Sequence, residues 1–402
     1  MKRRLIFVDD DPMVLDGLRR SLHSMRNAWE MRFVNSAAEA LQTLETEPYD
    51  AIVSDMRMPL MDGADLLTKV KECYPDMVRM ILSGQSSREA VFRSLSPAHQ
   101  FLSKPCDPQQ LANRLNQAFA MRDLLSNEAL KMVISRLRSI PSLPTLYEEL
   151  TTALRAENCS LEEVARIISK DVGMAAKILQ LANSAFLGTS GRVSSLSQAL
   201  TLIGSETVRT LVLSVHVFSQ FDGHAKAAAS LPALWDHSVA VSTLAQQIAN
   251  SENCPKAMIE ECFTAGLLHD IGKVVLLAEL PQDYLTICCT PANGDTDPER
   301  ARLGCTHAEV GAYLMSIWGL PFPLVHAVAY HHHPGETAET KFSPLTAVHV
   351  ADAIASAADA SPLHHDVALD LEYLNRLGLD EKYSVWRGLY TSHPSVPLSP
   401  TN

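Results

Sequence analysis

The chain has 402 residues, 47% of them hydrophobic and 20% charged, with 17 Gly and 22 Pro. That length accommodates two or three domains, each with its own core, and that balance excludes a disordered chain. A formal net charge of −12 excludes a general pull towards phosphate backbones or anionic lipid, so neither nucleic acid nor membrane is expected as a partner.

The chain opens Met1-Lys2-Arg3-Arg4-Leu5-Ile6-Phe7-Val8 and then meets the acidic triplet Asp9-Asp10-Asp11. Four apolar residues fall far short of a signal-peptide core, and no later run reaches membrane-spanning length. Eight Cys, with one adjacent pair at Cys288-Cys289 and no C-x-x-C, suit buried thiols in a reducing cytoplasm, the expected location.

From residue 4 to about 120, short apolar runs alternate with helical patterns, the rhythm of a parallel sheet with crossover helices. Strands are predicted at Leu5–Val8, Met31–Val34, Ala51–Ser54, Arg79–Leu82 and Gln100–Ser103. Ser36-Ala37-Ala38-Glu39 reads as a capping box, and Asp107-Pro108 as an N-cap followed by Pro at the first helical position. The first strand ends in Asp9-Asp10-Asp11-Pro12 and the third in Asp55, so their carboxylates converge where the strand order of an open parallel sheet reverses. Close carboxylates repel, and a hard divalent cation relieves them. Asp11, before Pro12, reads as a helix cap, which leaves Asp9 and Asp10 to face the cation. Ser83 and Lys104 end the fourth and fifth strands on the same rim. Such a set suits phosphoryl transfer to Asp55, with Mg²⁺ and Lys104 neutralising the transferred group.

These residues, with the S-D-M-R-M-P-x-M-D-G run around Asp55, Phe101 and Lys104-Pro105, resemble the response-regulator receiver family over residues 1–121. The resemblance implies a flavodoxin-like sheet of order 2-1-3-4-5 and phosphorylation of Asp55 by a sensor histidine kinase. It also implies Mg²⁺ held by Asp10, Asp55 and the Arg57 carbonyl, with Asp9 acting through water, and Phe101 moving inward as the switch.

Helical propensity runs from Pro108 to about Arg138, and residues 122–139 are expected to form a connector helix. Leu111, Leu115, Ala118, Arg122, Leu125, Ala129 and Met132 follow a 4-3-4-3 spacing that fits either a coiled-coil homodimer or a helix lying on its own protein. Ile140-Pro141-Ser142-Leu143-Pro144 breaks it, and residues 140–360 read as an all-α domain; 361–402 form an extension ending in a Pro/Ser-rich, unstructured tail. Leu196–Arg209 has a helix-turn-helix look, but with no basic residue before Arg209 it reads as plain helix packing.

The helical region places His237 in Trp235-Asp236-His237-Ser238, expected at a helix start, and His269-Asp270 in Gly266-Leu-Leu-His-Asp-Ile-Gly-Lys273. His307, the run His331-His332-His333, and Asp352 follow. Five or more N and O donors around a helical cavity suit one or two transition ions such as Fe, Mn or Zn; paired core polar residues, with Gly266 and Gly272 serving tight packing, are the alternative. With Gln198–Gly204, Trp318-Gly-Leu-Pro321 and Tyr330-His-His332, the region Ile140–Pro334 resembles the HDOD family of the HD metal-hydrolase superfamily. That resemblance implies a signalling-output domain that binds a partner protein or a nucleotide ligand. It also implies that His237, His269, Asp270, His307, His331, His332 and Asp352 match the metal ligands of HD-GYP phosphodiesterases, and Lys273 their phosphate contact. His333-Pro334-Gly335-Glu336 replaces the acidic Gly-Tyr-Pro loop of those enzymes, which puts cyclic di-GMP hydrolysis in doubt and leaves a metal-dependent phosphohydrolase as the alternative function. His333 and His349 are expected to have no specific role.

Overall fold

The computed structural model describes residues 2–84, 98–124, 131, 134, 141–142, 144–156, 160–183, 193–204, 207–208, 212, 219–220, 225–288, 297–358 and 368–391. The Pro/Ser-rich tail, Leu143, and Leu125, Ala129 and Met132 of the helical stripe lie outside these residues.

The amino-terminal part runs β1 (Arg3–Val8), α1 (Pro12–Ser21), β2 (Trp29–Val34), α2 (Ala37–Thr46), β3 (Ala51–Asp55), α3 (Gly63–Cys73), β4 (Val78–Ser83), β5 (Gln100–Ser103) and α4 (Pro108–Leu124). All strand pairs are parallel and the order is β2-β1-β3-β4-β5, the flavodoxin-like arrangement expected. β1 and β3 are central and buried on both faces, so Leu5–Val8 and Ala51–Val53 are unbroken apolar runs, whereas β2 at the edge alternates. Capping follows the sequence closely: Asp11 accepts from Met13 N, Ser36 from Glu39 N and Asp62 from Asp65 N.

One face of the sheet packs on α1 and α4 through Leu15, Leu22, Leu111, Leu115 and Phe119. The first three residues of the 4-3-4-3 stripe, Leu111, Leu115 and Ala118, are therefore spent inside this core, and Arg122 pairs with Asp50. In this stretch the stripe serves its own sheet rather than a second copy.

The carboxy-terminal part is helical: α5 (Pro144–Arg155), α6 (Leu161–Ile168), α7 (Val172–Ala182), α8 (Leu196–Ile203), α9 (Ala225–Ser251), α10 (Lys256–Leu268), α11 (Ile271–Glu279), α12 (Pro281–Cys288), α13 (Pro298–Leu303), α14 (His307–Ile317), α15 (Phe322–Tyr330), α16 (Pro344–Ser356), α17 (Leu371–Leu377) and α18 (Tyr383–Thr391). A short parallel pair, Pro141–Ser142 with Ser219–Gln220, completes it. The second face of the sheet, including Ile81 and Phe101, belongs to one apolar cluster that continues into these helices.

Polar contacts seal the junction at the carboxyl end of α14. Gln100 Nε2 donates to Ser316 O at 2.9 Å, Arg114 Nη1 to Gln100 Oε1 at 3.2 Å and to Gly319 O at 3.5 Å, and Gln117 Nε2 to Leu320 O at 3.3 Å. Gly319 has φ +74°, a backbone conformation that favours glycine, and a Cβ there would crowd the tip of Arg114 at 2.6 Å from Nη1. Among the described residues no helix is long and apolar enough to cross a membrane.

Candidate phosphoacceptor pocket and metal centre

Register brings the first set of residues together. Val8 pairs with Ser54, Asp55 with Leu82 and Ser83 with Ser103, so Asp9, Asp55, Ser83 and Lys104 all fall at the carboxyl edge of the sheet. Lys104 Nζ donates to Asp9 Oδ2 at 2.6 Å and also to Asp55 Oδ1. Arg57 N donates to Asp55 Oδ2 at 2.6 Å, and Asp11 N to Asp9 Oδ1 at 3.0 Å. Burial alone would lower the Lys104 ammonium, but its bonds to Asp55 and Asp9 outweigh that and raise it, so it is a fixed positive charge. Gly63 is required here: a Cβ at that position would sit 2.2 Å from Asp55 O. Asp9 and Asp55 are buried, whereas Asp10 and Arg57 are exposed at the mouth. Phe101 is buried in β5; the side chain of Ser83 lies outside the described residues.

The second set converges from six helices and their ends. His237 lies in the middle of the 27-residue α9, not at a helix start, because the helix runs through Pro232. His269 and Asp270 form the corner between α10 and α11, His307 is the first residue of α14, His331 and His332 follow α15, and Asp352 lies in α16. Glycines set the helix spacing. A Cβ on Gly266 would meet Ser242 Cα at 2.7 Å, and one on Gly272 would meet His307 O at 1.9 Å. Thr306 caps α14 in a full capping box with Glu309, fixing where His307 begins.

Two donor groups result, Asp270–His307–His331–His332 and His237–His269–Asp352, and within each the ligand atoms lie within 4.8 Å of one another. They adjoin: His269 Nε2 is 3.4 Å from Asp270 Oδ2, and His332 Nδ1 is 3.8 Å from Asp352 Oδ2. His237 Nε2 lies 3.1 Å from Asp352 Oδ1, and His307 Nε2 3.2 Å from Asp270 Oδ1. Lys273 Nζ donates to Asp270 Oδ2 at 2.8 Å. His269 Nε2, Asp270 Oδ1, His331 Nε2 and Asp352 Oδ2 are buried without a hydrogen bond, a costly condition that a bound cation would relieve.

Protonation suits ligation as well. Burial would push the carboxyls of Asp270 and Asp352 up, but Lys273 and His307 beside Asp270, and the hydrogen bond between His237 and Asp352, hold both well below the usual range. Burial pulls His331 down to about 3, with His269 adding to it, and lowers His269 and His332 too, so these imidazoles are neutral. His307 differs: burial opposes its charge, but Glu299 prevails and lifts it to about 9.

Glu299 and Tyr284 were not singled out from the sequence, where Asp297-Pro298-Glu299 resembles any acidic first turn of a surface helix. His349, expected to be idle, is a buried clip: Nδ1 donates to His331 O at 2.7 Å and Nε2 accepts from Asp370 N at 3.0 Å. His333 is exposed.

A family model of the response regulator receiver domain matches residues 5–116, and one of the HDOD domain matches residues 140–334. A curated protein of Treponema pallidum is 27% identical over 219 residues, 53% of this chain and 41% of its own length. The hydrogenase transcriptional regulatory protein HoxA of Bradyrhizobium diazoefficiens is 38% identical over 116 residues, 28% of this chain and 23% of that protein. The chain thus spans less than half the length of these two relatives. Among solved structures, the MmoQ response regulator of Methylococcus capsulatus is 27% identical, with a TM-score of 0.46 over 62% of this chain and 98% of that one. The chain is accordingly a fusion of a response regulator receiver domain with an HDOD domain.

Proposed function

We propose that phosphorylation of Asp55 by a sensor histidine kinase switches the HDOD domain, which acts by binding a partner protein or a nucleotide ligand. An Asp55 oxygen attacks phosphorus in line, the P–N bond of a phosphohistidine breaks, and the imidazole leaves. Mg²⁺ in the acidic pocket would be held by Asp10, Asp55 and the Arg57 carbonyl, with Asp9 acting through water, and would supply charge neutralisation. The carrying observation is the seal between Gln100, Arg114 and Gln117 and the corner Ser316–Leu320. Lys104 is bonded to Asp55 and lies four residues beyond Gln100 on the same strand and its end. A phosphoryl group on Asp55 offers Lys104 new anionic oxygens, and the resulting shift of β5 alters its hold on α14, the helix that begins with His307.

A metal-dependent phosphohydrolase is the second reading, favoured by the seven donors and Lys273. Burial weighs against it: the side chains of His237, His269, Asp270, His331 and Asp352 are at most 2% exposed, and only His332, at 23%, meets solvent appreciably. The donors fit a dinuclear centre of Fe, Mn or Zn better than they fit a site for an incoming phosphodiester. A pull-down with wild type and Asp55→Ala under phosphorylating conditions tests the leading reading. Phosphorylation-dependent retention of a partner by wild type alone supports it, and identical partner sets contradict it. Hydrolysis of a model phosphodiester by metal-loaded protein would promote the second reading.

A further inference from the structure

Each buried imidazole of the metal cluster with a described anchor is held by Nδ1 so that Nε2 faces inward. His269 Nδ1 donates to Gly266 O at 2.7 Å and His331 Nδ1 to Val328 O at 2.8 Å, neutral carbonyls in both cases. His307 is held otherwise. Its Nδ1 donates to the carboxylate of Glu299 at 2.8 Å, and its backbone N–H donates to the same oxygen at 2.6 Å. The second Glu299 oxygen accepts from Tyr284 O–H at 2.5 Å. Glu299 is 6% exposed and Tyr284 1%, so this carboxylate is buried, and three donors satisfy it.

We propose that Glu299, steadied by Tyr284, is a positioning residue that fixes the His307 tautomer and strengthens it as a ligand, making the Asp270–His307–His331–His332 group the tighter of two metal sites. The proposal rests on the metal reading of the cluster. With the Nδ1 proton directed at Glu299, Nε2 is the atom presented to Asp270 Oδ1 at 3.2 Å and His332 Nε2 at 3.1 Å. An anionic partner behind an imidazole raises its basicity as a ligand more than a carbonyl does. The second group, His237–His269–Asp352, makes no described contact with Glu299, so the effect is confined to one site.

The test is zinc titration of the chelator-treated full-length chain against a competing chelator, for wild type, Glu299→Gln and Tyr284→Phe. Glu299→Gln should weaken one zinc equivalent by about 10–100-fold and leave the other at wild-type affinity, with a smaller loss of the same equivalent in Tyr284→Phe. Wild-type affinities at both sites in both variants overturn the proposal, as does equal weakening of both sites. If Glu299→Gln fails to fold by circular dichroism, Tyr284→Phe decides: selective weakening supports the assignment and unchanged binding overturns it. A wild-type chain that takes up no zinc overturns the metal reading itself, and this proposal with it.

Discussion

Replacing Gly272 with Ala tests whether the cluster depends on two helices touching backbone to backbone. The new methyl would lie 1.9 Å from His307 O, 2.7 Å from His307 C and 2.9 Å from Gly311 N, all main-chain atoms that cannot swing aside. Reaching an ordinary contact requires α11 and α14 to part by about 1.5 Å, and overpacking of this kind destabilises by roughly 1–3 kcal/mol. The same displacement carries His307 Nε2 away from Asp270 Oδ1, now 3.2 Å distant, so metal affinity should fall together with stability. Gly311→Ala is a graded comparison, because its nearest obstacle is the side-chain Cγ2 of Ile271 at 2.8 Å, which has some room to adjust. Gly17→Ala in α1 is the control, with nothing within 4 Å, and it should stabilise by up to about 1 kcal/mol through helix propensity. Denaturant melts and metal titration of the three variants should rank Gly272→Ala worst, then Gly311→Ala, then Gly17→Ala. A Gly272→Ala protein with wild-type stability and metal uptake would refute the reasoning.

Gln100→Ala removes the side-chain donor to Ser316 O, which keeps the Gly319 amide, and the Gln100 acceptor of the buried Arg114 guanidinium, which should cost about 1–3 kcal/mol and uncouple the HDOD domain from phosphorylation without reducing phosphate incorporation; an unaltered phosphorylation response by limited proteolysis would contradict it. Lys104→Ala removes the ammonium that competes for Asp9 and Asp55, and a unit charge at about 4 Å is worth ~1–4 kcal/mol, so calorimetry should show Mg²⁺ binding tightened by about fivefold or more. For the metal-free chain, His331 at about 3 and the lowered His269 and His332 take up protons only on unfolding at moderately acid pH. Their contribution is full above the ordinary histidine value of 6.5 and is lost as pH falls towards 3. His307 has the opposite sign, full below 6.5 and lost as pH rises through about 9. Thermal midpoints should therefore decline on both sides of neutrality; a midpoint that climbs from pH 6.5 to pH 4 would contradict the burial of neutral imidazoles.

The receiver fold was legible because its signals are local and mutually consistent. Leu5–Val8 and Ala51–Val53 are unbroken apolar runs, each reaching an Asp within two residues, and such runs in a βα rhythm leave little choice but a central parallel strand. Much of the helical cluster was also readable, since each His or Asp sits in a short motif. What escaped was whatever depended on a partner far along the chain. Glu299 is one acid in a helical first turn until Tyr284 and His307 close over it. Gln100, Arg114 and Gln117 look like the polar positions of an amphipathic pattern until the fold sets them against the corner Ser316–Leu320. His237 in Trp235-Asp236-His237-Ser238 reads as a helix start, yet α9 begins at Ala225 and runs through Pro232. The stripe through Leu111, Leu115 and Ala118 showed the period without the partner: the same spacing suits a second helix or the sheet beneath, and the sheet takes it.

The central claim is that the phosphoryl state of Asp55 reaches α14 through β5. Hydrogen exchange over residues 307–320, measured on the full chain with and without a small phosphodonor and Mg²⁺, tests it most directly. The amides of Gly319 and Leu320, bonded to Ser316 O and Met315 O, should exchange faster once Asp55 is phosphorylated, and should not respond in Asp55→Ala. Unchanged protection across this helix and its corner in a fully phosphorylated protein would contradict the account.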